Sequence, residues 1–306
     1  MAEHGEGQDG GGRAARGLPA DRPSAGGRGG LVRAQFADPA GVASYAASYR
    51  GRGPSERYFS SRMCAVMAAL GRWPGGDLVD IGCGPGMLAR RLLEVRPDDF
   101  RITCVDQSPA MLAEAAARVR GFGVRLAAGK AEDVPFPDAS FDVAVAMGVF
   151  EYGDIPAALG ECARVVRENG LLLVTMLNPL SPYRMFEWAV YWPALRLLGR
   201  IEQVFGVSSR RRHGPPRTGI RAISSRRLCR HLRRAGWKPI DVVHYDVAPV
   251  VPPFDRLLWR WSTRWREHPE ATLGRGVRSW LGSAYLVVAS RDSAVSSPAP
   301  TRPSRA

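Results

Sequence analysis

Short apolar runs alternate with helical stripes through the middle of the chain. Runs at residues 77–81, 101–105, 124–128, 141–147 and 170–176 have the length and apolar character of buried strands. Segments with apolar residues at helical spacing separate most of them, as in the run 87–95 after the first strand. Strands alternating with helices predict an α/β fold with a mainly parallel sheet.

Capping residues indicate where several helices begin. Ser108 followed by Pro109 is a strong start signal, because the hydroxyl caps and the proline suits the first helical position. Asp154 is expected to cap the next helix, and Ser224 or Ser225 a later one. Before the first strand, a helix over residues 56–70 is predicted from Phe59, Met63, Val66 and Leu70, which recur at helical spacing.

A glycine-rich turn follows the first strand. Gly82, Gly84 and Gly86 let the backbone turn sharply and approach a ligand where a Cβ would collide. The next helix then offers free N–H groups at its N-terminus, which is typical of nucleotide binding. A dinucleotide fingerprint would need its third glycine at position 87, which is Met87. The turn therefore favours another nucleotide-containing ligand.

The stretch 77–176 resembles the class I S-adenosylmethionine-dependent methyltransferases, in their small-molecule and lipid branch. The resemblance lies in the turn, in Asp106 closing the second strand, in 108–112 (SPAML), in 131–136 (AEDVPF) and in the strand that follows. It implies S-adenosyl-L-methionine as cofactor. It also implies a Rossmann-like seven-stranded sheet, mostly parallel with an antiparallel edge strand, with helices on both faces and helical lid insertions. Residues 240–247 and 284–289 would be the last two strands.

The same resemblance implies roles for cofactor-binding residues. Asp80 would position the turn and the cofactor's amino end, and Asp106 would accept hydrogen bonds from the ribose hydroxyls. Lys130 stands where the family usually has an acid or amide for the adenine amino group, and a lysine has no acceptor. The predicted cofactor site comprises Asp80, Gly82, Cys83, Gly84, Gly86, Asp106, Gln107, Met111, Ala131, Glu132 and Met147.

The segment after the fourth strand, Met147 to Tyr152, should face the transferred methyl. It lacks the proline-rich motif of enzymes that methylate the exocyclic amines of bases. Tyr152 stands where many relatives have a histidine, and a phenol with a pKa near 10 is a poor base. Tyr152 and Glu151 are the catalytic candidates, with His213 and His244 as weaker ones.

Two aromatic-rich insertions, at about 180–222 and 248–282, interrupt the closing half of the chain. The first contains Trp188, Tyr191 and Trp192, then Leu195, Leu198, Ile201 and Phe205 along one stripe. The second contains Trp261 and Trp265 opposite arginines. Both insertions are interpreted as a lid over a hydrophobic acceptor. Peripheral contact with an anionic membrane through 254–266, a dimer contact and ordinary core packing are the alternatives.

The formal net charge of +14 and the pI of about 10.4 raise nucleic acid or anionic membrane as partners. The basic residues are nearly all arginine, with lysine at 130 and 238, which is typical of a GC-rich genome and weakens that argument. The arginine face of the helix near 226–234 is interpreted as solvated surface.

The chain is expected to be one cytoplasmic domain, residues 31–292, with disordered tails at 1–30 and 293–306. No run of about 18 apolar residues and no signal pattern occurs. The five cysteines lack the spacing of a zinc site, so no metal is predicted.

The leading hypothesis is methyl transfer to a small, hydrophobic molecule at O, N or C, in natural-product or lipid biosynthesis. A nucleic-acid methyltransferase and a non-catalytic cofactor-binding protein are the alternatives. No stable nucleic-acid partner is expected, and the oligomeric state is left open.

Overall fold

The computed structural model describes residues 41–42, 45–46, 54–206, 221–247 and 280–291. The helices and strands of these residues, in chain order, are α1 Pro54–Leu70, β1 Gly76–Ile81, α2 Met87–Val95, β2 Phe100–Asp106, α3 Pro109–Arg118, β3 Arg125–Ala128, β4 Phe141–Ala146, α4 Ile155–Val165, β5 Val166–Leu177, α5 Pro182–Phe186, a π-helical turn Glu187–Tyr191, α6 Trp192–Val204, α7 Ser225–Arg234, β6 Trp237–Val247 and β7 Gly282–Arg291.

The strands form one seven-stranded sheet in the order β3-β2-β1-β4-β5-β7-β6. Strands β1 to β5 pair in parallel, whereas β7 runs antiparallel to both β5 and β6. The predicted fold class is confirmed, with the antiparallel strand one position inside the edge.

Helices cover both faces of the sheet. On one face α1, α2 and α3 pack on the sheet through Val66, Leu70, Leu88, Leu92 and Ala115. On the other, α4 and α7 pack through Ile155, Leu159, Leu228 and Leu232. The middle strands are apolar on both sides because both faces are covered. Their polar groups can therefore gather only where the strands end.

Two predicted caps are confirmed and one is not. The Ser108 side chain accepts a hydrogen bond from Met111 N, and Asp154 accepts one from Ala157 N. Ser224 stands at the cap position of α7 without a side-chain cap bond. Strand β5 begins at Val166 rather than 170, because Val166 already pairs with Phe141 before a register shift. Likewise β6 begins at Trp237 rather than 240, since the buried Trp237 pairs with Arg291.

The first insertion forms α5, the π-helical turn and α6, and its apolar stripe stays exposed among the described residues. Leu198, Ile201 and Phe205 are 40%, 45% and 79% exposed. The aromatic residues predicted at 254–265, His213, the arginine loop 210–217 and both tails lie outside the described residues. In the part described, no helix combines the length and apolar character needed to cross a bilayer.

A buried ion pair links helix α1 to β6, the strand at the edge of the sheet. Arg57 Nε donates to Asp246 Oδ1 at 2.6 Å, and both side chains are almost fully buried. The Ser283 hydroxyl donates to the other Asp246 oxygen. These contacts join α1 to both β6 and β7. Helix α1 therefore belongs to the folded domain.

We expect Arg57→Met to destabilise the protein by about 3 kcal/mol, because it leaves the Asp246 charge buried without its cation. Denaturant unfolding followed by circular dichroism measures the change. Arg72→Met is the control, since Arg72 is largely exposed and lies 3.7 Å from Asp241, and it should cost less than about 1 kcal/mol. Equal effects of the two substitutions would show that α1 is not anchored by this pair.

Candidate active site

The predicted site residues gather at the carboxyl ends of β1, β2 and β4. The chain winds outward from β1 through β2 to β3, then returns to the other side of β1 as β4. The loops after β1 and β4 therefore leave the sheet in opposite directions and open a crevice between them. Ligands of open α/β sheets bind in such a crevice.

The glycine turn has a left-handed backbone at Gly82, Gly84 and Gly86, with φ of 66°, 53° and 74°. Two of these glycines are packed against protein. A Cβ on Gly82 would lie 2.3 Å from Val149 Cγ2, and one on Gly86 would lie 3.1 Å from Ala115. A Cβ on Gly84 would meet only Tyr45, at 3.8 Å. The turn is thus open to a ligand at Gly84.

Asp106 supports the turn with both carboxylate oxygens. Oδ2 accepts from Gly84 N and Oδ1 from Ser108 N, each at 2.9 Å. Burial raises the pKa of Asp106, and these backbone bonds oppose the rise. Each oxygen of a carboxylate has two lone pairs, so Asp106 retains acceptor capacity on its half-buried side.

Asp80 is a buried carboxylate at the end of β1. It is 1% exposed, and neither oxygen has a hydrogen-bond partner among the residues that the structure describes. Burial raises its pKa to about 7, reinforced by the charge of Asp106 and opposed by the Arg62 guanidinium. An orphaned buried acid costs free energy in the ligand-free protein, so it indicates a missing cationic or donating partner.

Several predicted residues line the neighbouring parts of this edge. Met111 is buried at the first turn of α3, and Gln107 lies between Asp106 and the Ser108 cap. Cys83 is a buried thiol whose pKa is raised by its hydrogen bond with Cys104 and by burial. All five cysteines are free, and Cys83, Cys104, Cys162 and Cys229 are buried. No cluster of metal-ligand side chains occurs among the described residues.

The residues of the loop after β3 that were predicted to lie near the adenine differ in exposure and in hydrogen bonding. Lys130 is exposed, and its backbone pairs with that of Asp133 in an isolated antiparallel β-bridge. Ala131 is buried. The Glu132 Oε1 accepts from Asp154 N at 2.8 Å, next to the start of α4. One oxygen of Glu132 is therefore held by the protein's own backbone.

The segment after β4 brings buried charge to the crevice. Met147 packs against the apolar core, and Gly148 N donates to Thr175 Oγ1 at 2.9 Å. Glu151 is 4% exposed, and in the described part of the chain its Oε1 has no hydrogen-bond partner. Burial raises the pKa of Glu151 to about 7, and the positive charges of Arg62 and Arg184 oppose this rise. Neither arginine was predicted as a site residue, since nothing in the sequence distinguishes them from surface arginines.

Of the other base candidates, Tyr152 is half-buried beside Glu151. Burial and the Glu151 charge raise the Tyr152 pKa above its ordinary value of 10.0, so the phenol is an even weaker base. His244 lies on β6, with β5 and β7 between that strand and β4. Its ring contacts Tyr285 and lies on the opposite side of the strand from Tyr245, whose ring contacts Tyr58 of α1.

Comparison with known proteins decides the family. Residues 79–174 match the family model described as a methyltransferase domain. Together with the seven-stranded sheet, this match supports a class I S-adenosylmethionine-dependent methyltransferase domain at residues 79–174. This match covers the glycine turn, Asp106, the loop after β3 and strands β4 and β5 of the methyltransferase, which is the region that carried the resemblance.

Two curated relatives and one solved structure resemble this methyltransferase. The malonyl-[acyl-carrier protein] O-methyltransferase of Serratia marcescens is 38% identical over 105 residues, 34% of this chain and 39% of that protein. The nocamycin O-methyltransferase of Saccharothrix syringae is 29% identical over 209 residues, 64% of this chain and 72% of that protein. A possible histamine N-methyltransferase from Thermotoga maritima, 21% identical, shares the fold at a TM-score of 0.55 over 82% of this chain and 96% of its own.

The residues of this methyltransferase fit S-adenosylmethionine. The orphaned Asp80 carboxylate is placed for a cationic group, and the turn is open at Gly84. Asp106, one strand away, has acceptor capacity for hydroxyl groups. The cofactor has groups that suit these three features: an ammonium for Asp80, a methionine chain for the open turn at Gly84, and ribose hydroxyls for Asp106.

Glu151→Gln should stabilise the ligand-free methyltransferase at pH 8 but not at pH 4.5. The Glu151 pKa of about 7 lies above the ordinary 4.5, so the folded state holds the proton between these values and loses stability as pH rises through them. A glutamine avoids that loss, which amounts to roughly 3.5 kcal/mol above pH 7 at about 1.4 kcal/mol per pKa unit.

Urea unfolding at pH 4.5 and at pH 8 measures this difference. Glu114→Gln is the control, because the exposed Glu114 side chain pairs with the largely buried Arg118, and the substitution should change stability by less than about 1 kcal/mol at either pH. A stability difference between Glu151→Gln and wild type that is the same at both pH values would contradict the raised pKa.

Proposed function

We propose that the protein transfers a methyl group from S-adenosylmethionine to a small, hydrophobic acceptor at oxygen, nitrogen or carbon. The observation that carries the proposal is the convergence of Asp80, Gly84 and Asp106 at the ends of β1 and β2, next to Glu151 and Tyr152 after β4. In this proposal the cofactor-binding and acceptor-facing residues share one crevice, as methyl transfer requires.

In this proposal each group has a defined role in holding the cofactor. Asp106 accepts from the ribose hydroxyls, and Asp80 accepts from the ammonium of the methionine moiety. The open backbone at Gly84 lets the methionine moiety lie against the turn. Met111 and Ala131 supply the apolar sides of the adenine pocket, and Glu132 keeps one oxygen for a further contact.

The bound cofactor supplies an already activated sulfonium methyl. The work left to the chain is to hold the acceptor in line with that methyl and to exclude water. Glu151 has the pKa of a general base poised near neutrality, about 7, and one free oxygen. It would take a proton from an acceptor that carries one, while the Tyr152 hydroxyl orients that acceptor.

The hydrophobic nature of the acceptor is supported by the aromatic side chains around this segment. Tyr45 and Tyr58 each meet Phe59 edge-on, with ring centroids 5.6 and 5.4 Å apart. Both tyrosines are close enough to Tyr152 to affect its titration. The two curated relatives are named for O-methylation of a malonyl-carrier conjugate and of nocamycin, which supports oxygen as the acceptor atom.

We expect Asp106→Ala and Gly84→Val each to weaken S-adenosylmethionine binding at least tenfold, about 1.4 kcal/mol. The first removes the ribose acceptor, and the second fills the open side of the turn. Isothermal titration calorimetry measures the affinity. Gly121→Val is the control for backbone strain, because Gly121 has φ of 86° in an open turn away from the crevice. Unchanged affinity in folded Asp106→Ala would refute the assignment.

Tyr152→Phe should lower turnover only a few-fold and leave cofactor affinity unchanged, since placement contributes more than this hydroxyl. His244→Gln is the control and should leave turnover unchanged, because His244 lies near the far edge of the sheet. Steady-state assays with candidate hydrophobic acceptors measure both. If Glu151→Gln lowered turnover more than about 1,000-fold, general-base catalysis would outweigh placement.

A further inference from the structure

An arginine of the first insertion has a buried N–H group without an acceptor in the part of the chain that the structure describes. Arg184 lies on α5, the helix after β5, and its side chain is 18% exposed. Its Nη1 donates to Glu187, and its Cζ lies 5.4 Å from the centroid of the Tyr183 ring. Its Nε is buried and has no partner there. A charged donor buried without an acceptor costs free energy, so it indicates a missing ligand group.

The backbone around Arg184 is held in place by buried polar contacts. The Ser181 hydroxyl caps α5 by accepting from Arg184 N at 3.2 Å. The same hydroxyl donates to Asn178 O, and Asn178 Nδ2 donates to Gly282 O of β7 at 2.9 Å. Both Ser181 and Asn178 are buried. Helix α5 is therefore fixed to the end of β5 and to the start of β7, and Arg184 is positioned before any ligand binds.

The Arg184 guanidinium lies on the side of the crevice where the acceptor is expected. The Glu151 carboxylate accepts a hydrogen bond from the backbone of Leu177, which ends β5 shortly before α5 begins. The charge of Arg184 lowers the Glu151 pKa against the larger effect of burial. Tyr58, one of the aromatic side chains proposed to face the acceptor, acts on the titration of Arg184. The Asp80 pKa shows no contribution from Arg184. Arg184 is thus near the catalytic candidates rather than near the amino-acid end of the cofactor.

Two arginines bring positive charge to this segment from two different helices. Arg62 of α1 is 4% exposed, and a Cβ on Gly148 would lie 2.5 Å from its Nη1 and 4.0 Å from a Glu151 carboxylate oxygen. Arg184 approaches from α5. The Glu151 pKa of about 7 means that this residue is partly protonated near neutrality. The acceptor side of the crevice can therefore accommodate a negative charge on a ligand.

A carboxylate is the anion that suits this position. Nε and Nη2 form one edge of a guanidinium, and a carboxylate can accept from both in a bidentate pair. Glu187 bonds Nη1 of Arg184, so the edge that contains Nε is left for a ligand. A phosphate group would bring about two negative charges next to Glu151 and Glu187, whereas a carboxylate brings a single one.

We propose that Arg184 binds a carboxylate of the methyl acceptor through the edge of the guanidinium that contains Nε. This inference rests on the proposed function. It narrows the acceptor from hydrophobic molecules in general to hydrophobic molecules that carry a carboxylate. The competing explanation is that Arg184 only pairs with Glu187 and offsets the charge of Glu151.

Carboxylates and their neutral amides separate these explanations. The probes are decanoate, naphthylacetate and the primary amide of each, titrated calorimetrically into protein saturated with S-adenosylhomocysteine. We expect wild-type protein to bind at least one carboxylate about tenfold more tightly than its amide, and Arg184→Met to weaken that carboxylate about 30-fold and the amide less than about threefold, because a charge-assisted hydrogen bond is lost. Arg184→Lys should fall between them, since it keeps the charge but not the paired donors.

Arg196→Met is the matched control. Arg196 is an exposed arginine of α6 in the same insertion, so the substitution removes the same charge from the surface. It should leave the preference for the carboxylate unchanged. A loss of preference as large as in Arg184→Met would indicate general electrostatic attraction and would overturn the inference.

Naphthyl phosphate tests the choice of anion. It should bind wild-type protein more weakly than naphthylacetate does. Tighter binding of the phosphate, lost in Arg184→Met, would overturn the assignment of a carboxylate.

Titration of S-adenosylhomocysteine alone keeps the proposed function separate from the inference. If all variants bind this compound and wild-type protein prefers neither carboxylate over its amide, the inference is overturned and the proposed function stands. Wild-type protein that does not bind S-adenosylhomocysteine would refute both. Thermal unfolding accompanies each titration. If Arg184→Met does not fold, Arg184→Lys decides alone, and an unchanged preference there overturns the inference.

Discussion

The burial of ionised groups at the carboxyl ends of the central strands is the constraint on which the rest of the site depends. Asp80 and Glu151 are nearly inaccessible to water and keep oxygens without a partner among the described residues, while the charge of the buried Arg62 acts on both. Such groups raise the free energy of the ligand-free protein unless a ligand completes their hydrogen bonds. The fold keeps them because covered strands, helix caps and the Arg57–Asp246 pair stabilise the domain elsewhere. Local destabilisation at strand ends is typical of a functional site.

The strands of the sheet could be predicted because the sequence patterns that indicate them are local. Strands β1 to β4 are short and mainly apolar, and the helices after β2 and β4 begin at the caps Ser108 and Asp154. The starts of β5 and β6 were wrong because pairing with β4 and β7 extends these strands into polar residues, which sequence pattern does not reveal. The helix α6 was predicted correctly, but its apolar stripe is exposed among the described residues. Helical periodicity alone does not say what an apolar face packs against.

The site was predictable to the extent that a family motif passes through it. Asp80, the glycines and Asp106 were placed by spacing, and the structure brings them together at one edge. What they bind remains a prediction. Arg62, Tyr45 and the Gly148 contact were missed, because they come from a helix and a loop distant in sequence whose orientation depends on the packed sheet. A buried arginine has no sequence signature that separates it from the many exposed ones.

The contact between Gly82 and Val149 has a consequence for how this protein can vary. Val149 fills the space that a side chain at position 82 would need, so the turn after β1 and the loop after β4 interlock at that point. A larger residue at 82 would have to be accompanied by a smaller one at 149, together with a backbone that tolerates a positive φ. Homologous sequences should therefore change at these two positions together or not at all, although the two positions are 67 apart in the numbering of the chain.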